Sequence, residues 1–136
     1  MTLSFTREEA EGIFYDALCN AVGTGYIDGH GLEMTARNED YNTAAKSLKQ
    51  FGNPAYEDVL MEVLRQGGEL TLVDHESEGE YTRSIKLADV HTRLNECLAD
   101  GSLEPGTAWR SYWEEGDAAD VDAIIQTVFY KEIIFG

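Results

Sequence analysis

Apolar residues recur at three- and four-residue spacing through most of this chain, a pattern typical of amphipathic helices. It predicts helices over about residues 6–22, 39–50, 55–66, 88–99 and 107–115, followed by a terminal helix that opens at Asp117. Thr6 and Glu9 have the spacing of a capping box for the first helix. Glycines are densest between Gly23 and Gly31, where we expect a loop or a short irregular strand.

The pattern changes to alternation of period two at residues 69–73 and 80–87, on either side of a polar tip at 74–79. Two such runs predict a β-hairpin, and in its second strand Arg83 shares a face with apolar Ile85. The order of elements predicts an α+β fold. We expect one domain over residues 1–136, with several helices around a small antiparallel sheet and the C-terminal amphipathic helix in the core.

The terminal helix has an uninterrupted apolar face and a first turn rich in carboxylates, which suits the positive end of a helix dipole. That face is formed by Val121, Ile124, Ile125, Val128 and Phe129. Apolar residues continue beyond it at Ile133, Ile134 and Phe135. Because so much apolar surface is unusual in a frayed tail, we expect the tail to dock inside the domain or against a second copy.

Glu132 interrupts this apolar stripe. On an ideal helix it lies close to Val121 and Ile125, so its carboxylate would be buried and would need a partner. Arg83, on the apolar face of the hairpin, is a candidate for that partner. In the alternative interpretation the helix has already ended by Glu132, and its side chain reaches water.

The charge is strongly one-sided: 26 acidic residues against 10 basic ones give a net charge of −16. Such a surface repels nucleic-acid phosphates, so direct binding of DNA or RNA is not expected. It suits a protein that presents carboxylates to a basic partner in imitation of DNA, although acidity can also serve solubility alone. The sequence has no run of eighteen apolar residues, so we expect no membrane contact, and we expect both cysteines to be reduced.

No catalytic or cofactor motif is present in the sequence. The three histidines are widely separated, and the glycine-rich loop follows a helix instead of leading from a strand into one. A nucleophile, a base and an orienting group cannot be named together. We therefore expect a protein that is not an enzyme and that uses neither a metal nor another cofactor.

The segment Trp109-Arg110-Ser111-Tyr112-Trp113 is the strongest candidate for a binding site. On a helix the two tryptophans fall on one stripe beside Tyr112, with Arg110 about 100° away. Aromatic faces near an arginine can stack a base and pair a small anion. The alternative is a core or subunit interface anchored by the tryptophans.

The tail resembles that of a family of small acidic bacteriophage proteins, which end in an Ala-Asp … Leu-Gln … Leu-Phe-Gly-Glu-Ile-Val-Tyr-Gly-like stretch. The matching residues here are Ala119, Asp120, Ile125, Gln126, Glu132, Ile133, Ile134 and Gly136. The family's Tyr-Trp after the first glycines reads Tyr26-Ile27 in this chain, and Tyr26 is the residue there that we include among candidate ligand contacts. The resemblance implies a phage origin and a location in the host cytoplasm, without a particular chemistry.

Two functions follow as expectations. The first is a sponge: a homo-oligomer that sequesters a small nucleotide immune signal through Arg83, Trp109, Arg110, Trp113 and Tyr26. The second is an acidic DNA mimic that inhibits a basic, nucleic-acid-binding host protein. Either is an anti-defence, host-interaction role without chemistry. The net charge of −16 opposes an anionic ligand unless the pocket is locally basic. The aromatic–arginine stripe nevertheless makes the sponge the first expectation, with the mimic as the alternative.

Overall fold

A computed structural model of the chain describes residues 4–24, 31–49 and 52–135. Its elements in chain order are α1 (Arg7–Thr24), β1 (Leu32–Ala36), α2 (Asn38–Leu48), α3 (Tyr56–Arg65), β2 (Leu70–Asp74), β3 (Arg83–Ile85), α4 (Leu87–Asp100), α5 (Pro105–Tyr112) and α6 (Ala118–Tyr130). Six helices and a three-stranded antiparallel sheet confirm the predicted α+β class. The predicted capping box of α1 is also present, because Thr6 and Glu9 each accept the other's backbone N–H.

The sheet has the order β1-β2-β3, with β2 in the middle and antiparallel to both neighbours. Leu70 pairs with Ile85 and Leu72 pairs with Met34, and all four side chains are buried on the face that meets the helices. The alternation of apolar and polar residues therefore sets which face of the sheet enters the core.

The second hairpin strand is shorter than predicted: β3 has three residues in place of the eight expected over 80–87. Lys86 already precedes α4, and its backbone N–H donates to the Asp89 carboxylate at 2.8 Å. Leu87, predicted on the strand, is the first residue of α4. The alternating pattern continues past Ile85, but the carboxylate at Asp89 satisfies the amide that begins a helix.

α6 lies in the core, as predicted, and packs against α1, α4 and α5. Its N-terminus is held by a capping box in which Asp117 and Asp120 each accept the other's backbone N–H, at 2.9 and 3.2 Å. At the other end the Arg93 guanidinium donates to the carbonyls of Val128 and Phe129, at 2.7 and 3.3 Å. Both ends of α6 therefore have partners for the backbone groups that a helix leaves unpaired.

Ile134 and Phe135 dock against the same molecule, which confirms the first of the two predicted alternatives for them, whereas Ile133 remains 51% exposed. Gln126 of α6 is 1% exposed, and its side-chain oxygen accepts the backbone N–H groups of Ile134 and Phe135 at 2.7 and 2.8 Å. Its amide nitrogen donates to the Phe135 carbonyl at 2.9 Å. The Phe135 ring lies edge-on to Tyr81 and Tyr130, with centroids 5.3 and 6.1 Å away.

Among the described residues, none of the helices combines the length and the apolar character needed to cross a bilayer. Cys19 and Cys97 are both free thiols.

Candidate functional site

The predicted aromatic stripe is a ladder of rings that runs from the core to the surface. Phe5 contacts Trp109, Trp109 contacts Tyr112 and Tyr112 contacts Trp113, with centroids 5.4, 5.5 and 5.0 Å apart and the rings nearly perpendicular. Phe5 is buried, Trp109 and Tyr112 are half-buried, and Trp113 is 66% exposed. Trp109 therefore belongs to the packing of the core, whereas Trp113 offers its indole ring to solvent.

Trp113 is presented by a well-defined helix end. Glu114 adopts a left-handed conformation with φ of 61°, and its N–H donates to the Ser111 carbonyl at 3.0 Å. The next N–H, of Glu115, donates to the Arg110 carbonyl at 2.7 Å. These two bonds form the Schellman motif that commonly ends helices, here with a glutamate where glycine is usual.

Arg110 does not face the rings as a free cation. Its Nε and Nη2 donate to the two carboxylate oxygens of Asp120, both at 2.8 Å, and the Asp120 side chain is only 8% exposed. The hydrogen bonds from Arg110 hold the pKa of Asp120 below its ordinary value, and the same pair raises the pKa of Arg110. This bidentate pair joins α5 to the first turn of α6, so the arginine has a structural partner already.

Arg83 lies at the opposite end of α6. Its register partner is the buried Leu72, which places it on the face predicted from the sequence, but its side chain is exposed. The guanidinium donates to the carbonyls of Glu80 and Thr82 at 2.9 and 2.8 Å, and its carbon lies 5.9 Å from the centre of the Tyr130 ring.

Tyr130, which Arg83 covers, has a hydroxyl that lacks a hydrogen-bond partner among the described residues, and burial raises its pKa to about 12. Arg110 contacts Asp120 in the first turn of α6, and Arg83 contacts Tyr130 at its last residue. Ten residues of helix place these two contacts about 15 Å apart along the helix axis. The structure therefore does not bring Arg83 and Arg110 to one site within the molecule.

Glu132 is exposed and lies beyond the end of α6, so the proposed buried pair with Arg83 is wrong and the alternative interpretation holds. Lys131 takes a left-handed conformation with φ of 64°, and its N–H makes the last helical bond, to the Thr127 carbonyl at 3.0 Å. The chain turns at that residue, so the helical spacing that placed Glu132 among apolar residues no longer applies.

Tyr26, the remaining candidate contact, lies outside the described residues. The described residues also form two pockets that none of the ladder's rings lines. One, of about 240 Å³, is lined by Arg7, Glu11, Leu87, Ala88 and His91. The other, of about 230 Å³, is lined by Leu48, Gly52, Asn53, Pro54, Asp58 and Arg65. Both fall below the roughly 300–1,000 Å³ of pockets that enclose drug-sized ligands.

The structure gives roles to two residues that the sequence prediction did not assign. Asp120 was expected only as a carboxylate in the first turn of α6, and its pairing with Arg110 was missed because the two lie on different helices. Gln126 was noted only as part of the tail resemblance, yet it is the buried group that fixes the tail. A single amide inside the run Ile124–Phe129 was the available signal, because a buried polar group requires partners.

At the hairpin tip, two of the side chains considered as metal ligands, Asp74 and His75, already have partners within the molecule. The Asp74 carboxylate accepts the backbone N–H groups of Glu76, Ser77 and Tyr81, and these bonds hold its pKa below the ordinary value. His75 contacts Glu33 through its Nε2, at 2.8 Å. Asp74 is therefore the group that organises the turn.

No protein-family model matches this chain, and the comparisons with curated proteins and with solved structures also gave no match.

Proposed function

We propose that this protein is a non-enzymatic host-interaction protein of phage origin, whose acidic surface binds a basic partner protein. The observation that carries the proposal is where the carboxylates lie. Among the described acidic residues only Asp16, Asp74 and Asp120 are buried, so the net charge of −16 is displayed almost entirely at the surface. A field of this sign attracts basic proteins over several ångströms and repels nucleic acid.

The arrangement of the cations supports the same proposal. Arg93 caps the C-terminus of α6, Arg110 pairs with Asp120, and Lys131 pairs with Glu96 at 2.7 Å. These three cations hold helix ends and tertiary contacts together, so each already has an acceptor within the molecule. The exposed glutamates of the hairpin tip and of the α5–α6 corner have no comparable cation beside them in sequence.

Capture from host lysate tests the proposal at about 0.1 M and about 1 M salt, where the screening length is about 10 and about 3 Å. An unrelated acidic protein of matched size and charge is the control for non-specific adsorption. We expect proteins of basic isoelectric point that are retained only by this protein, released at high salt and displaced by duplex DNA. Capture of the same set by the control, or no capture at low salt, contradicts the proposal.

The nucleotide sponge is a second candidate, and the exposed ring of Trp113 is the observation in its favour, because an indole can stack a base. Its two arginines lie at opposite ends of α6, so a shared site would have to form between copies of the chain. Isothermal titration against cyclic and linear nucleotides tests it. Absence of binding tighter than about 10 μM would remove this candidate.

A further inference from the structure

The corner between α5 and α6 combines an exposed indole ring with carboxylates. Trp113 is the most exposed of the three large apolar side chains that stand out from the described surface, at 66% against 51% for Ile133 and 39% for Tyr56. Glu114 and Glu115 follow it directly and are both exposed. Tryptophan is enriched among the residues that contribute most to binding at protein interfaces.

The backbone that presents the ring is fixed before any partner arrives. The Trp113 N–H donates to the Trp109 carbonyl at 3.0 Å, and the Schellman bonds of the next two residues anchor the backbone to Ser111 and Arg110. Ser111 is fully buried, and its hydroxyl donates to the Ile13 carbonyl of α1 at 3.1 Å. A side chain presented from such a fixed turn loses little conformational freedom on binding.

Charge decides which ligand suits this surface. Neither lysine nor arginine occurs between Arg110 and Lys131, and Arg110 is paired with Asp120. A phosphate over the ring would therefore meet two glutamates. A second copy docked symmetrically would bring four of them together, which like-charge repulsion disfavours. A guanidinium is attracted both by the face of the indole and by the carboxylates.

We propose that Trp113, Glu114 and Glu115 form the docking point for an arginine-bearing segment of the basic partner. This inference rests on the proposed function, since it names the part of the acidic surface that holds the partner. The arginine stacks on the indole ring and pairs with a neighbouring glutamate. Lysine, which lacks a planar group, stacks less well at such a site.

Fluorescence anisotropy with two labelled peptides, Arg-Gly-Ser and Lys-Gly-Ser repeats of equal length, tests this at about 0.1 M salt. We expect the wild type to favour the arginine peptide. Trp113→Ala should lower the affinity for the arginine peptide about tenfold, in the upper part of the range for a partly desolvated cation–π contact. The affinity for the lysine peptide should fall by a smaller factor. Glu76→Gln/Glu78→Gln at the hairpin tip is the matched acidic control, for which we expect a change of at most about twofold.

The outcomes separate the two proposals. If lysate proteins are still captured but Trp113→Ala binds the arginine peptide as wild type does, the docking point is wrong and the acidic-surface function stands. If neither peptides nor basic proteins bind the wild type, both fail. If sedimentation shows a dimer that Trp113→Ala dissociates, the surface belongs to a second copy and this inference is overturned. Because Trp113 is exposed, Trp113→Ala should unfold at nearly the same temperature as the wild type. The thermal midpoint of the variant therefore checks that it folds.

Discussion

The side chain of Gln126 is the best single test of how the tail is held. It makes four hydrogen bonds while 1% exposed: three to the backbone of Ile134 and Phe135, and one to the Asp122 carboxylate at 2.8 Å. Gln126→Met keeps a similar length and removes all four. At about 0.5–1.5 kcal/mol net for each of the three backbone bonds, their loss alone would lower the free energy of unfolding by about 1.5–4.5 kcal/mol.

The tail itself sets an upper limit to that loss. Ile134 and Phe135 are half-buried. Full burial of such a side chain contributes about 1.5–3 kcal/mol, so docking of the two contributes roughly 2–3 kcal/mol. Because the two estimates are close, Gln126→Met should release the tail instead of leaving unpaired amides buried. A chain truncated after Lys131 should therefore be about as stable as the variant, and adding Gln126→Met to it should cost much less than in the full chain.

Urea unfolding followed by circular dichroism measures these differences, and hydrogen exchange at the Ile134 and Phe135 amides reports tail release directly. Gln66→Met is the matched control, because Gln66 is exposed and, within the described part of the chain, its side chain bonds only another exposed side chain, Ser47, at 3.0 Å. We expect a change within about 0.5 kcal/mol for it. A loss below about 0.5 kcal/mol for Gln126→Met, with unchanged exchange, would refute the reasoning.

Three further predictions concern α1, α5 and α6. The hydrogen bonds from Arg110 hold the pKa of Asp120 below 3.8, so its contribution to stability is complete above that value and is lost as the pH falls through the folded pKa. Asp120→Asn should lower the thermal midpoint at pH 7. It should also make the thermal midpoint depend less on pH in the acid range. Burial raises the pKa of Asp16 above 3.8, so its effect has the opposite sign: stability falls as the pH rises from 3.8 through the folded pKa. Asp16→Asn should remove that loss and be at least as stable as wild type at pH 7. Glu114→Gly should raise the free energy of unfolding by about 0.5–1 kcal/mol, because glycine adopts the left-handed conformation without strain. Glu115→Gly, whose backbone is outside that region, should not stabilise; equal gains in both would contradict the explanation.

Local pattern was sufficient for most of the elements. The α6 face, the Thr6–Glu9 capping box and the first hairpin strand depend on residues within a few positions of one another, so spacing and side-chain type reveal them. The end of the second strand could not be read in this way. The alternation at 80–87 is continuous, yet residues 80–82 precede β3 and the Asp89 carboxylate caps the Lys86 amide, so that α4 begins at Leu87, one residue before the predicted start.

The candidate site depended much more on tertiary structure. The aromatic stripe could be predicted from α5 alone, but the three-dimensional packing buries part of Trp109 and exposes Trp113. The two arginines that the sequence offered as ligand contacts are drawn to opposite ends of α6, by Asp120 and by Tyr130. Such partners are set by how helices cross, and periodicity within one helix carries no information on that.

The tail shows most simply which features follow from the local sequence and which follow from the tertiary structure. The sequence by itself determined that a strongly acidic chain would place an amphipathic helix near its end and dock the apolar residues beyond it, because burial of apolar surface requires no specific partner. Only the tertiary structure decided that the helix stops at Tyr130, that Glu132 reaches water and that Gln126 holds the tail. Those outcomes follow from a left-handed turn at Lys131 and from hydrogen bonds, which act only when the chain has brought donor and acceptor together.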